Sequence, residues 1–115
     1  MDKLQVCAKF PHIVPDKLDE FKNVVAQLVE RAKGEADTLE YGFFLSADQT
    51  VCIVREAYTN SEAVLAHSAN MSELLPRLFE LGGTFEAEVF GSPSPALLEV
   101  MAAFNPTIYS CLQGK

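Results

Sequence analysis

Two neighbouring stretches of this 115-residue sequence have the composition of β-strands and are apolar on both faces. Along residues 39–46, leucine and aromatic side chains alternate on one face, yet Phe44 adds bulk to the other. Residues 51–54 (VCIV) are apolar on both faces, and the polar residues 47–50 are short enough for a hairpin connection. A sheet built from such strands must be covered on both sides.

The remaining periodicities place helices and further strands around this hairpin. Two-residue alternation predicts strands over residues 4–10 and 84–90. An apolar stripe at steps of three and four residues predicts a long helix that ends near Gly34. A second helix beginning near Ser61 is expected to break before Pro76, because proline deep inside a helix removes a hydrogen bond and clashes with the preceding turn.

The order of these elements indicates a fold class. Strand, helix, strand, strand, split helix and strand together predict an α+β domain with a ferredoxin-like β-α-β-β-α-β core and an antiparallel sheet. We expect one domain over residues 1–115, with its core at about 4–91 and an extension at about 92–115. The extension is predicted to contain a short helix at 96–104 and an extended segment at 107–112. Helices on one face leave the other for a second subunit, a ligand cavity or both, and dimerisation is the simplest cover.

Charge and hydropathy exclude several classes of function. Sixteen acidic against nine basic residues give a formal net charge of −7, which repels phosphate backbones, so we expect no nucleic-acid partner. No apolar run is long enough to span a bilayer, and the first residues lack the pattern of a signal peptide. These features predict a cytoplasmic protein without a membrane partner.

The three cysteines are Cys7, Cys52 and Cys111, an odd number at wide spacing without a metal-binding pattern. We therefore expect neither structural disulfides nor a metal site. Each cysteine falls in a predicted strand, where free cysteine commonly behaves as a small buried apolar residue.

Residues 55–67 (REAYTNSEAVLAH) join a predicted strand to the second helix. Thr59 and Glu62 have the spacing of a helix-capping pair, and His67 lies one turn further along the helix. This segment resembles the antibiotic-biosynthesis monooxygenase family of dimeric α+β barrel proteins, in which a strand ending in an acidic and an aromatic residue runs into a capped helix carrying a histidine. The order of elements over residues 4–90 agrees with that family.

The resemblance implies a homodimer with a cavity between sheet and helices, where a small aromatic, quinol or polyketide-like substrate reacts with molecular oxygen without a cofactor. A phenolate or quinolate can itself donate an electron to oxygen, so the protein must bind the ring, help deprotonate it and exclude water. The chain has no tryptophan, whereas haem-degrading relatives use an asparagine, a tryptophan and a histidine around the haem. The alternative is a non-catalytic dimeric small-molecule-binding or stress-response module on the same fold.

Three residues of the junction are candidates for catalysis: His67, Tyr58 and Asn60. A histidine can accept a phenolic proton because it titrates near neutrality, and the tyrosine hydroxyl and asparagine amide can orient a substrate oxygen. Each also has an ordinary structural interpretation, as a histidine packed between helix and sheet, a tyrosine at a strand end and an asparagine at a helix start.

Four further residues are candidates for substrate binding: Arg55, Glu56, Tyr41 and Phe44. Arg55 and Glu56 are neighbours in one strand, so their side chains point to opposite faces of the sheet. One of these two side chains must point to the enclosed side of the sheet. That side chain needs a partner there, because a buried charge without a partner is costly.

Overall fold

The chain folds into a five-stranded sheet and four helices, as described for residues 3–115 by a computed structural model. Short 3₁₀ turns at Pro15–Lys17 and Ala102–Phe104 precede the first helix and follow the last. In chain order the elements are β1 (Leu4–Phe10), α1 (Leu18–Ala32), β2 (Thr38–Leu45), β3 (Cys52–Tyr58), α2 (Ser61–Asn70), α3 (Leu75–Gly82), β4 (Glu86–Phe90), α4 (Pro95–Met101) and β5 (Thr107–Tyr109).

The strand order across the sheet is β2-β3-β1-β4-β5. Strand β1 lies at the centre and is antiparallel to β3 and β4, while β2 and β3 form the predicted antiparallel hairpin. This confirms the α+β, ferredoxin-like core. The sheet as a whole is mixed, however, because β5 pairs parallel with β4. The crossover through α4 returns the chain in the direction of β4, so the strand of the extension adds a parallel edge to the antiparallel sheet of the core.

Helices α1 and α3 cover one face of the sheet through a core centred on aromatic rings. Phe10 of β1 is fully buried and meets Phe21 of α1 edge to face, with ring centroids 5.3 Å apart. Gly82 at the end of α3 lies so close to Phe10 that a Cβ there would stand 2.3 Å from a ring carbon. The absence of a side chain at Gly82 therefore lets α3 approach the central strand.

A second buried cluster joins α2 and α4 to the end of the sheet. It contains Tyr58, Val64, Leu97 and Met101. The Ser94 side chain caps α4, and its backbone N–H donates a hydrogen bond of 2.9 Å to Ser61 Oγ at the start of α2. The extension is thus docked on the core rather than separate from it.

Some local predictions are corrected by the structure. Helix α2 begins one residue after Asn60, whose Oδ1 accepts a hydrogen bond of 2.9 Å from the Ala63 N–H, so the cap is Asn60 and not the Thr59–Glu62 pair. The predicted break is confirmed, since α2 ends at Asn70 and Pro76 stands in the first turn of α3.

The face of the sheet opposite the helices is less apolar than the sequence suggested. Phe44, Phe90 and Tyr109 are exposed there, but they alternate with charged side chains including Lys9 and Arg55. We call this surface the open face of the sheet.

The cysteines occupy three different environments. Cys52 is buried and Cys7 half-buried, whereas Cys111 is exposed because β5 ends two residues before it. Burial raises the pKa of the Cys52 thiol to about 11, consistent with an apolar core residue. Within residues 3–115, no helix is both long and apolar enough to cross a membrane.

Candidate active site

An apolar cavity of about 100 Å³ lies between the sheet and the helices, where the two buried clusters meet. Val6, Val64 and Phe85 are among its apolar walls, and two ionisable side chains, Glu56 and His67, also line it. The cavity therefore combines a low-polarity environment with groups that can transfer protons, which is typical of small-molecule sites.

His67 is held by a carboxylate from a distant part of the chain. The His67 side chain is 6% exposed, and its Nδ1 lies 2.7 Å from Oε1 of Glu35, a residue of the loop between α1 and β2. Glu35 is itself fixed by Asn70 Nδ2 at 2.7 Å and by Thr38 Oγ1 at 2.8 Å. With Nδ1–H donating to Glu35, the Nε2 atom of a neutral ring is left as a proton acceptor.

The hydrogen bonds around Glu35 favour its charged form. Desolvation raises the pKa of this carboxyl, but hydrogen bonds from Asn70, His67 and Thr38 outweigh it and lower the pKa below the ordinary 4.5. Glu35 is therefore an acceptor that orients the His67 ring.

Glu56 lies on the helix-facing side of β3, opposite Val6 in the register with β1. Its Oε1 accepts a short hydrogen bond from the Tyr58 hydroxyl. Burial raises the pKa of Glu56, against the lowering effects of that hydrogen bond and of His67. The site thus holds two carboxyl groups with opposite tendencies, since Glu35 favours the anion and Glu56 the neutral acid.

Tyr41 and Tyr58 pack around the same histidine. The centroid of His67 lies 4.6 Å from that of Tyr41 and 5.4 Å from that of Tyr58, both with the rings inclined steeply to each other. Burial raises the pKa of both phenols, so each stays a neutral donor. The tyrosines limit the motion of the imidazole.

The structure brings Tyr58, Glu56 and Tyr41 close to His67, whereas the other three candidates do not line the cavity. Asn60 caps α2 and does not line the cavity, but it lines a surface groove that Glu35 and His67 also border. Arg55 and Phe44, which is 53% exposed, lie on the open face of the sheet.

Two features of this site were not predicted from the sequence. Glu35 lies 32 positions from His67, and no local pattern marked the pair. The extension contributes Met101, Phe104 and Pro106 to the cavity wall, although the sequence showed only that their segment was apolar. The Phe104 ring is 41% exposed and packs on Phe85, with centroids 5.8 Å apart. Among residues 3–115, no cluster of three metal-ligating side chains is present.

Comparisons with known proteins identify the fold. No protein-family model matches the chain, and no curated protein matches it at a significant level. Among solved structures, MupZ from Pseudomonas fluorescens is similar with a TM-score of 0.87 and 26% identity, over 99% of this chain and 88% of that one. That match includes the C-terminal extension.

Structures of lower sequence identity share the same fold. A structure described as an antibiotic biosynthesis monooxygenase has a TM-score of 0.68 at 20% identity, over 79% of this chain and 99% of that one. Rv0793 from Mycobacterium tuberculosis has a TM-score of 0.69 at 18% identity, over 82% and 98%. The predicted resemblance to the antibiotic-biosynthesis monooxygenases is thus confirmed at the level of the α+β fold.

Proposed function

We propose that the chain is a cofactor-independent monooxygenase that oxidises a small aromatic, quinol or polyketide-like substrate with molecular oxygen. The observation that carries the proposal is the His67–Glu35 pair at the wall of an apolar cavity. A base in such a position can take the proton of a bound phenol, because the carboxylate behind it stabilises the imidazolium that forms. The cavity then keeps water from the phenolate.

The reaction balances without a further reductant. His67 takes the phenolic proton, and the phenolate donates electrons to oxygen, forming a carbon–oxygen bond on the ring. Loss of the ring hydrogen and cleavage of the oxygen–oxygen bond give a quinone and one water molecule. The cavity is of the same order as the ~150 Å³ apolar cavity that binds benzene, so single-ring substrates fit best.

An oxygen electrode tests the proposal with a panel of single-ring phenols and quinols. We expect uptake that saturates with substrate and falls by roughly 10²-fold or more in His67→Ala. His12→Gln is the matched control, because His12 is the other histidine and lies in an exposed loop. Absence of uptake with every substrate, or equal uptake by His67→Ala, would contradict the proposal.

A non-catalytic small-molecule-binding module is the second candidate. It is supported by the hydrogen bonds that the polar side chains at the cavity already form within the protein. Tyr58 donates to Glu56, and Glu35 accepts from His67. Saturable binding of a single-ring ligand, measured by calorimetry, without any product after long incubation would favour this candidate.

We further propose that the protein acts as a homodimer through the open face of the sheet. Phe44 and Ile53 are register partners there, and the rings of Phe90 and Tyr109 stack with centroids 5.4 Å apart. An exposed surface of this kind is a common subunit contact, because apolar rings bury against their copies while charges pair around them.

A further inference from the structure

Two different proton-transfer groups face one apolar cavity. Nε2 of His67 is the free acceptor of a ring whose Nδ1 is bound to Glu35 at 2.7 Å. Glu56 accepts the Tyr58 hydroxyl hydrogen bond on Oε1, which leaves Oε2 to carry a proton. The monooxygenase reaction uses the base but assigns no step to the acid.

Glu56 is suited to donate a proton within this environment. In the part of the chain that the structure describes, no lysine or arginine forms an ion pair with it, and Tyr58 is its hydrogen-bond partner. Burial raises the pKa of the Glu56 carboxyl. A neutral carboxylic acid in an apolar site is a strong hydrogen-bond donor to a developing oxyanion.

We infer that this cavity also catalyses a reaction without oxygen, the enolisation of small cyclic ketones, with His67 as base and Glu56 as acid. His67 Nε2 removes a proton from the carbon next to the carbonyl, and the C–H electron pair becomes the carbon–carbon double bond. The carbonyl π electrons move to the oxygen, which takes the Glu56 proton. His67 then gives its proton to the far carbon of the dienol, while the enol hydroxyl returns its proton to Glu56 and the carbonyl re-forms. The isomerisation thus restores both groups, with no net change in oxidation state.

The substrate class follows from the size and walls of the cavity. About 100 Å³ accommodates a single ring, and the surrounding side chains, such as Val64 and Phe85, offer no charge. A β,γ-unsaturated cyclic ketone fits best. Moving one of its protons brings the carbon–carbon double bond into conjugation with the carbonyl, which gives the more stable isomer.

The test uses the full chain with cyclohex-3-enone and cyclohexanone, without oxygen and in deuterium oxide. We expect cyclohex-3-enone to be converted into its conjugated isomer, and both ketones to gain deuterium next to the carbonyl, faster than without protein. Glu56→Gln and His67→Gln should each lower these rates by roughly 10²-fold, as expected on losing a general acid or base. Glu86→Gln and His12→Gln should leave them unchanged, because both residues are exposed and lie away from the cavity.

A second measurement holds even if a variant fails to fold. Phenol is a planar mimic of the enol, so it should inhibit the wild-type exchange competitively. Exchange that phenol does not inhibit, or rates at the protein-free level for both ketones, would overturn the inference.

This inference rests on the same site as the proposed function, but the two can fail separately. Oxygen uptake that depends on His67, together with no ketone exchange, would remove the inference and leave the monooxygenase. Exchange that depends on both residues, together with no oxygen uptake by any phenol, would support the inference and remove the monooxygenase.

Discussion

Glu35 and Glu56 both lie beside His67, yet their pKa values move in opposite directions. The difference comes from their neighbours. Three donors surround Glu35 and favour its anion, whereas burial dominates at Glu56, which has one donor in Tyr58. At the scale of single residues, this contrast assigns the two carboxyls different roles, one orienting a base and the other holding a proton.

The stabilising effect of Glu35 should depend on pH. Because its folded-state pKa is lowered, its contribution is fully present above 4.5 and is lost as the pH falls through the lowered value. Glu35→Gln should therefore lower the free energy of unfolding by about 1–3 kcal/mol near neutral pH, and the difference from the wild type should shrink as the pH falls below 4.5. Urea unfolding at several pH values measures the free energy of unfolding of both proteins. Glu30→Gln, at an exposed position, is the control.

Glu56 should behave in the opposite way. Its raised pKa means that the folded protein binds more protons than the unfolded chain, so this group makes the protein less stable as the pH rises above 4.5. Glu56→Gln keeps an acceptor for Tyr58 and should be more stable than the wild type at neutral pH, with a gain that grows from acidic to neutral conditions. A loss of stability that increases with pH would contradict this prediction.

Residue by residue, the sequence predicted the site only in part. His67 and Tyr58 could be named as candidates because they lie in one strand-to-helix motif, and the alternation of β3 separated Glu56 from Arg55. Glu35 could not be found, because its contact with His67 forms only when the α1–β2 loop packs against α2. Asn60 has the ordinary structural role that its position also suggested, since it caps the helix.

At the scale of elements, the N-terminus of α2 offers a direct test of Asn60. Asn60→Ala removes the acceptor for the Ala63 N–H and should cost about 1 kcal/mol of unfolding free energy. Asn60→Asp retains an acceptor and should stay close to the wild type. Because Asn60 does not line the cavity, ligand affinity should be unchanged in both variants; a large loss of affinity in Asn60→Asp would instead favour a direct role.

The extension should set the size of ligand that the cavity admits. Phe104 forms part of the cavity wall and packs on Phe79 and Phe85. Phe104→Ala should weaken the binding of single-ring phenols and strengthen that of two-ring analogues, as measured by calorimetry. Leu98→Ala is the control, since Leu98 is exposed on α4. Equal affinities for both ring sizes before and after the change would show that the extension has no such role.

Helices with a strong apolar stripe and hairpins with polar turns were predictable, and α1 and the β2–β3 hairpin agree with the prediction. The pairing of β5 was not predictable, because the pattern of three residues is too short to indicate which strand they pair with. Its parallel alignment with β4 depends on how α4 docks, which is a tertiary effect.

At the scale of the whole molecule, the order of elements was enough to predict the ferredoxin-like core. The predicted homodimer follows from the remaining open face. Ile53→Asp places a charge among the exposed rings of that face and should convert a dimer into a monomer, as measured by light scattering after size exclusion. Glu30→Gln, on α1 and away from the open face, should leave the mass unchanged, and a monomeric wild type at working concentration would contradict the prediction.

The central claim is that Glu35 holds His67 with a free Nε2 facing the cavity. Heteronuclear NMR of the histidine side chains measures this directly, and assignment is simple because the chain has two histidines, one of which His12→Gln removes. We expect the proton of the neutral His67 tautomer to lie on Nδ1, and this preference to be lost in Glu35→Ala, which removes the acceptor. A neutral tautomer protonated on Nε2, with the same spectrum in Glu35→Ala, would contradict the claim.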